Sequence, residues 1–354
     1  MDVDVVIAGA GLAGACAALA LSHTRRVVVL DAGQAGEGAS GAAAGLANPF
    51  MGRKATPAWH GAEALDALHA TLDAAGARDL FLASGVLRPA GDARQRDAFR
   101  SAADAHGLAY ASAETAAERW PYVLAPHGAL WIPQGGSVDL TAFVRTCLRA
   151  AERNGAVLYE HRALTSWRRD GPSLIAITDQ GEIWTRRLLL ALGDGARHVP
   201  ALASLPLHRV KGQTVELARP PALPPDAPAV SGGAYVVPRP DRVLVGATFE
   251  HAFADLRPSP GASAKLTARA RGLVPSLPSE AVAARAGVRL TVPTSASPRR
   301  LPLLGPLPGE PGVWVFTGLG AKGLLTAPRL ARLLPEALDD PAALPPEVRA
   351  PLGL

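Results

Sequence analysis

The sequence predicts an α/β fold: a parallel-sheet nucleotide-binding half is interrupted by an antiparallel half and completed near the C-terminus. Three observations carry this expectation. Residues 3–31 read as strand, glycine turn, helix and second strand, which is the size of a parallel crossover. Beyond residue 205 the chain breaks into short alternating apolar runs separated by Pro and Gly, the texture of an antiparallel sheet. Residues 311–323 then return to a buried strand and a second glycine turn.

Taken in order, "VDVVIA" at 3–8 is a fully buried strand, and Gly9, Gly11 and Gly14 turn it into the helix "LAGACAALALSHT". "RRVVVLD" is the next strand and ends at Asp31. The Gly/Ala-rich stretch that follows has side chains too small to build a core, so its backbone is expected to lie against something else. Apolar spacing predicts helices over 59–75, 93–107 and 113–120, and a strand over 128–133. A strong amphipathic helix is expected over 137–152, with Ser137 as N-cap and Asn154-Gly155 as stop. Strand-like runs occupy 156–169, 173–180 and 182–193, the last two joined by "DQGE" as a hairpin. Further strands are expected over 208–218, 234–240, 242–250 and 286–294, with a proline loop at 220–228, a tight turn at 239–242 and a helix at 263–275. Pro328 lies inside the last helical pattern, so that helix either bends or starts later than its glycine turn suggests. The expected division is 1–80, 134–205 and 286–354 for the nucleotide-binding domain, and 81–133 and 206–285 for a substrate-binding domain.

With 354 residues the chain is long enough for two cores. Its net charge of +5 comes from scattered arginines with no basic tail, which reads as a solvated surface rather than a nucleic-acid footprint. Cys16 and Cys147 fall within apolar helical patterns, as buried packing residues of a reducing compartment do. The acidic start is unlike a signal peptide, and no apolar run reaches membrane-spanning length, so a soluble cytoplasmic protein is expected. The nine histidines show no metal-ligand spacing, and no metal is expected. There is no nucleophile elbow and no Walker loop.

The loop Gly9-Ala10-Gly11-Leu12-Ala13-Gly14 has the spacing of a dinucleotide-binding turn. The first glycine permits the turn, the second admits a pyrophosphate, and the third allows close packing, while the helix N-terminus offers N–H groups to phosphate. Asp31, followed by Ala32, ends the next strand where a ribose hydroxyl needs an acceptor. Ser40 and Gly41 offer a hydroxyl and an amide to the other face of the pyrophosphate. Gly318, Gly320 and Gly323 open a second helix. A helix N-terminus with Lys322 beside it suits a ring that gains negative charge on reduction, which favours FAD over NAD.

These motifs, with "GASGAAAG", "GGSVDLTAFVRTCLRAAERNGA", "LLLALGDGARHV", "VKGQTV", "AYVVPRPDRVLVGATFE", "AGVR" and "VWVFTGLGAKGL" in that order, span nearly the whole chain. The chain thus resembles the FAD-dependent D-amino-acid-oxidase-like family, which includes glycine oxidase, sarcosine oxidase and the FAD half of the bifunctional tRNA wobble-uridine enzyme. The resemblance implies a Rossmann-like FAD-binding domain of the glutathione-reductase type with an inserted antiparallel-sheet substrate domain. It places Asp31 at the adenosine ribose and Ser40, Gly41 and Ala42 at the pyrophosphate. Ala163 meets the adenine side through its backbone, and Leu192 and Gly193 end the strand that touches FAD. Gly318, Leu319, Gly320, Ala321, Lys322, Gly323 and Leu324 face the flavin ring. Arg289 is implied as clamp for a substrate carboxylate, with Tyr235 beside it. No cysteine or histidine matches a covalent flavin link, so FAD is expected to be non-covalent.

The implied reaction oxidises a C–N bond of an amino acid or amine by hydride transfer to flavin N5. The imine then hydrolyses, and dioxygen or another acceptor reoxidises the cofactor, with Lys322 stabilising the reduced ring. Two departures leave the substrate open. Asp194-Gly195 stands where the family commonly has a small residue and an aromatic. The segment "LANPFMGRKATPAWH" is unlike glycine oxidase, and its Asn48, Arg53, Lys54 and His60 are expected near the flavin and substrate pocket. The ending "GLGAKGLLTAP" is similar to that of the wobble-uridine enzyme, so a tRNA substrate is the alternative, and a flavin-binding protein without amine substrate is the third.

Overall fold

A computed structural model describes residues 3–349, 352 and 353. The fold is mixed α/β and is organised by two eight-stranded sheets. The first sheet has β1 (Val3–Ala8) near its centre, flanked by β2 (Val27–Leu30) and β14 (Gly181–Leu190), both parallel to it. Beyond β2 lies β11 (Val157–Tyr159), also parallel. One edge of β14 serves two partners. Its first half pairs antiparallel with β13 (Ser173–Thr178), which pairs with β12 (Leu164–Asp170). Its last residues pair parallel with β21 (Val313–Thr317), and β20 (Leu303–Pro306) lies antiparallel on β21.

Strand β1 is buried on both faces, which is why it reads as a continuous apolar run. Val5 and Ile7 pack on one side with α1 (Leu12–Leu21), α2 (Gly61–Ala75), α5 (Leu140–Arg153) and α7 (Gly323–Ala331). Val6 and Ala8 pack on the other, toward the β12–β14 meander. Nine of the ten residues of α1 are buried, so it is apolar all round and sits at the centre of its layer.

The second sheet runs in the order β19 (Ala283–Thr291), β15 (His208–Ala218), β18 (Arg242–Gly246), β17 (Tyr235–Pro238), β16 (Ala229–Ser231), β7 (Val86–Pro89), β9 (Ala129–Ile132) and β8 (Ala109–Ala111). All neighbours are antiparallel except β7 and β16, which are parallel because β7 arrives from the earlier part of the chain. Helices α3 (Ala93–His106), α4 (Ala113–Arg119) and α6 (Pro260–Arg271) belong to this half. The expected boundary between residues 285 and 286 falls inside β19, which pairs with β15 along its length. Short strands β3 (Leu46–Ala47), β6 (Phe81–Leu82) and β10 (Gly136–Val138) form a link between the halves, and β4 (Phe50–Met51) pairs with β5 (Thr56–Pro57).

Three sequence expectations shift. Ser137 does not cap α5: it pairs within β10, and Asp139 caps instead, its Oδ1 accepting from the Ala142 N–H at 3.0 Å. Helix α6 starts a turn earlier than residue 263, capped by Ser259 with Pro260 at the first position, where its missing N–H costs nothing. Helix α7 does start at the glycine turn and includes Pro328. It forfeits one ladder bond there and ends at Ala331, one turn later.

Candidate functional site

A single cavity of about 700 Å³ runs between the two sheets and along the N-termini of α1 and α7. At one end stand Gly9, Gly11, Leu12, Ala13 and Asp31; Ser40 and Ala44 follow on the flank. Leu192 and Gly193 stand opposite, then Thr317 to Ala321, Gly323 and Leu324. At the far end stand Tyr235, Phe249 and Arg289.

The nucleotide end is shaped by close backbone approach. Gly9 has φ +107°, and a Cβ on Gly14 would overlap the carbonyl oxygen of Gly9. A Cβ on Gly11 would meet only Ser40 Oγ, at 3.6 Å, so this missing side chain is open space on the cavity wall. No side chain of the α1 N-cap residue is available, and Ser40 Oγ accepts from the Leu12 N–H at 3.1 Å instead. The Asp31 carboxylate accepts from the Ala10 N–H at 2.7 Å and the Gly33 N–H at 2.9 Å, which fixes it at the turn.

At the far end β15 leaves room for a cation. A Cβ on Gly212 would lie 2.7 Å from Arg289 Nη2. Arg289 donates to the Thr248 carbonyl at 2.9 Å and lies 4.5 Å from the Phe249 ring centroid. The neighbouring β15 residues hold the 248–259 loop that carries Phe249 and Leu256 to the cavity. Buried Lys211 donates to the Arg257 carbonyl at 2.8 Å, and Gln213 accepts from the Ser259 N–H at 2.7 Å. Burial pushes the Tyr235 phenol up to about 12, against the opposing pull of Arg289 and a hydrogen bond from the Ala44 backbone. Burial also lowers the Arg289 pKa, with Tyr235 pulling the other way. The phenol is therefore a neutral hydrogen-bonding group at ordinary pH.

A family model described as FAD dependent oxidoreductase matches residues 4–337. The chain belongs to that family. A glycine oxidase from Pseudomonas aeruginosa is 34% identical over 203 residues, 54% of this chain and 54% of that protein. A glycine oxidase from Geobacillus kaustophilus is 28% identical over 354 residues, covering 95% of this chain and 93% of that protein. The crystal structure of glycine oxidase from Geobacillus kaustophilus matches with a TM-score of 0.82 at 27% identity, over 95% of this chain and 94% of that one. The tRNA 5-methylaminomethyl-2-thiouridine biosynthesis bifunctional protein MnmC from Polaromonas sp. is 31% identical over 377 residues, 93% of this chain and 55% of that protein. The chain thus spans about half the length of the Pseudomonas glycine oxidase and of MnmC.

The cavity fits FAD. Its length joins a phosphate-sized gap at Gly11 and Ser40 to the α7 N-terminus, and its wall is mostly apolar with a few placed polar groups. Neither cysteine and none of the nine histidines lines it.

Several expected site residues lie off the wall. Ala10, Gly14 and Ala32 are not on it, and Gly41 and Ala42 line a separate, smaller cavity with Arg239 and Arg242. Ala163 is also outside the cavity, with its N–H and carbonyl both bonded to Asp179. Lys322 also lies off the wall: its ammonium donates to the Arg299 carbonyl at 2.6 Å and its N–H to the Leu319 carbonyl at 3.1 Å. Burial and then the flanking Arg300 and Arg299 lower its pKa.

Arg53, Lys54 and His60 likewise lie off the wall. Arg53 is exposed and paired with Asp92 at 2.8 Å, Lys54 is exposed, and His60 packs edge-on to Trp59 with Glu63 at 3.3 Å. Their segment reaches the cavity through Leu46, Asn48, Met51 and Gly52 instead. Asn48 Oδ1 accepts from the Phe50 N–H at 3.0 Å.

Sequence reasoning missed Phe249, Arg88 and the Asp194–Arg209 pair. Asp194 is on the wall and takes Arg209 bidentately at 2.6 and 2.8 Å, tying β15 to the end of β14. The departure at Asp194 was visible, but its partner across the fold was not. An arginine inside the apolar run "GVLRPA" was the one signal for Arg88.

Proposed function

We propose that this chain is an FAD-dependent oxidase or dehydrogenase acting on the C–N bond of an amino acid or secondary amine. The observation that carries the reading is the single cavity that joins the dinucleotide turn, the α7 turn and the Arg289–Tyr235 pair. When bound, FAD supplies the two-electron oxidation of the carbon bearing nitrogen and hands the electrons on to dioxygen or another acceptor.

In this reading the Gly11 gap, Ser40 and the α1 N-terminus take the pyrophosphate, and Asp31 accepts from the ribose. The cofactor is held without a covalent bond. The Gly318–Leu324 turn sets the α7 dipole against the ring edge, where negative charge accumulates on reduction. Arg289 grips the substrate carboxylate with its fork and Tyr235 donates to it, which aims the reacting carbon at the ring. Phe249 and Leu256, both exposed, add apolar surface to the same wall. No side-chain base is required if the amine arrives neutral.

The test is an anaerobic flavin-bleaching screen over amino acids, N-methyl amino acids and amines, followed by re-aeration. Bleaching by one of them is the expected result, and recovery in air marks an oxidase yielding hydrogen peroxide. A holoenzyme that none of them bleaches overturns the reading.

The match to MnmC over 93% of this chain favours a second substrate class, a modified wobble uridine in tRNA. Tight tRNA binding that falls steeply with salt would select it. Binding indifferent to salt, or none, rejects it.

A further inference from the structure

We infer that Arg88 is a second anion anchor in this cavity, and that the preferred substrate carries a carboxylate beyond the one assigned to Arg289. The inference rests on the amine-oxidation reading and names the substrate class within it: an amino or imino acid with two carboxylates.

Arg88 lies in β7, is 6% exposed and forms part of the cavity wall. Its Nη1 donates to the Phe50 carbonyl at 2.9 Å and its Nη2 to the Gly52 carbonyl at 2.6 Å. Both acceptors are neutral. Nε has no acceptor, and the Phe99 ring lies 4.9 Å from the guanidinium carbon. Burial alone lowers its pKa to about 10, with no carboxylate of the described residues opposing it. Arg239, a comparably buried arginine, does have an acid nearby, Asp139. A buried guanidinium facing a cavity without a counter-charge is costly unless an anion arrives there.

The strand register places Arg88 near the other anchor. Leu87 pairs with Val230, so Arg88 stands beside Ser231, and Ser231 pairs with Tyr235. Ser231 and Tyr235 are themselves on the cavity wall. Two strand spacings, about 10 Å, therefore separate the Arg88 and Tyr235 backbones, and Tyr235 is the charge-coupled neighbour of Arg289. Among the described residues three acids line the cavity: Asp31, Glu37 and Asp194. Asp31 is held by N–H groups at the nucleotide end, Glu37 belongs to the turn beside it, and Asp194 is neutralised by Arg209. Among the described residues the substrate end thus carries two guanidinium groups and no free carboxylate. A monocarboxylate would satisfy one and leave the other uncompensated.

The holoenzyme is titrated with acetate, malonate, succinate and glutarate, following perturbation of the flavin spectrum. At least one dicarboxylate is expected to bind about tenfold or more tighter than acetate. In Arg88→Met that ratio should collapse toward one, and Arg88→Lys should keep part of it. A wild-type ratio near one, or an undiminished ratio in Arg88→Met, overturns the inference. Should Arg88→Met fail to fold because the Phe50 and Gly52 carbonyls lose their donor, Arg88→Gln retains a donor without the charge and decides in its place.

Anaerobic bleaching then compares glycine and sarcosine with aspartate, glutamate and iminodiacetate. Equal kcat/KM for the two groups removes the anchor and leaves the oxidation reading standing. If none bleaches the flavin while dicarboxylates still bind through Arg88, the oxidation reading falls and the anchor stands.

Discussion

Arg289 lies face-on to Phe249, 4.5 Å from its ring centroid, while the same guanidinium donates to the carbonyl of the adjacent Thr248 at 2.9 Å. One loop thus holds the cation by both face and edge, with neutral partners only, and leaves its charge uncompensated. For Arg289→Leu we expect KM for a carboxylate substrate to rise about 10- to 100-fold, the loss of one or two charge-assisted bonds. FAD content, read from the visible-to-ultraviolet absorbance ratio, should be retained. A KM within twofold of wild type would end the clamp role.

Lys322 gives the opposite expectation. Its ammonium is spent on the Arg299 carbonyl rather than aimed at the cavity. In Lys322→Met the reoxidation rate, followed by stopped flow after anaerobic reduction, should stay within twofold of wild type. The loss should appear in stability, about 1–3 kcal/mol for a hydrogen bond to a charged group. A tenfold slower reoxidation would restore the lysine to the flavin.

Two of the three glycines of the first turn, Gly11 and Gly14, should separate folding from binding. In Gly14→Ala the new methyl overlaps the Gly9 carbonyl, and the expected cost is about 3 kcal/mol or more, with poorly folded protein. In Gly11→Ala the methyl enters open cavity beside Ser40, so the apo-protein should melt normally while FAD binds at least about tenfold more weakly. Thermal melting with and without added FAD tells these apart. Equal behaviour of the two variants would contradict the geometry.

Tyr235 should leave a mark at high pH. Its phenol is raised to about 12 in the fold, against about 10 in an unfolded chain. Between these values the unfolded state has lost the proton and the native state keeps it. Stability is therefore fully present below pH 10 and is lost as pH climbs toward 12, by about 2–3 kcal/mol. Denaturant titrations of Tyr235→Phe should lack that component of the alkaline decline. An unchanged slope would show that the phenol titrates as an exposed one.

The sequence is most readable where backbone geometry dictates residue type. Both glycine turns follow from close backbone approach, which only glycine satisfies, and the strands β1, β2 and β21 follow from burial, which favours continuous apolar runs. The α5 cap is less readable because Ser137 and Asp139 are both good caps, and pairing of Ser137 with Leu46 and Leu82 decides between them. The 46–60 segment is the hardest. Its cations look like ligand groups in one dimension, but Arg88, far along the chain, draws the Phe50 and Gly52 carbonyls inward. With the segment held that way, Arg53 pairs with Asp92 at the surface. No local pattern encodes that choice.

The end of β19 does more than carry Arg289. The Gly320 N–H donates to the Leu290 carbonyl at 2.9 Å, and Thr291 bridges to Leu319. The strand bearing Arg289 and the turn at the α7 end are thereby spliced into one hydrogen-bonded backbone. The spacing between the Arg289 backbone and the α7 turn is set by peptide geometry, which side-chain substitution does not alter. The specificity of such a site can be retuned at Arg88, Phe249 or Tyr235 while that spacing stays fixed, which makes these three positions the natural ones to vary when redirecting it to new substrates.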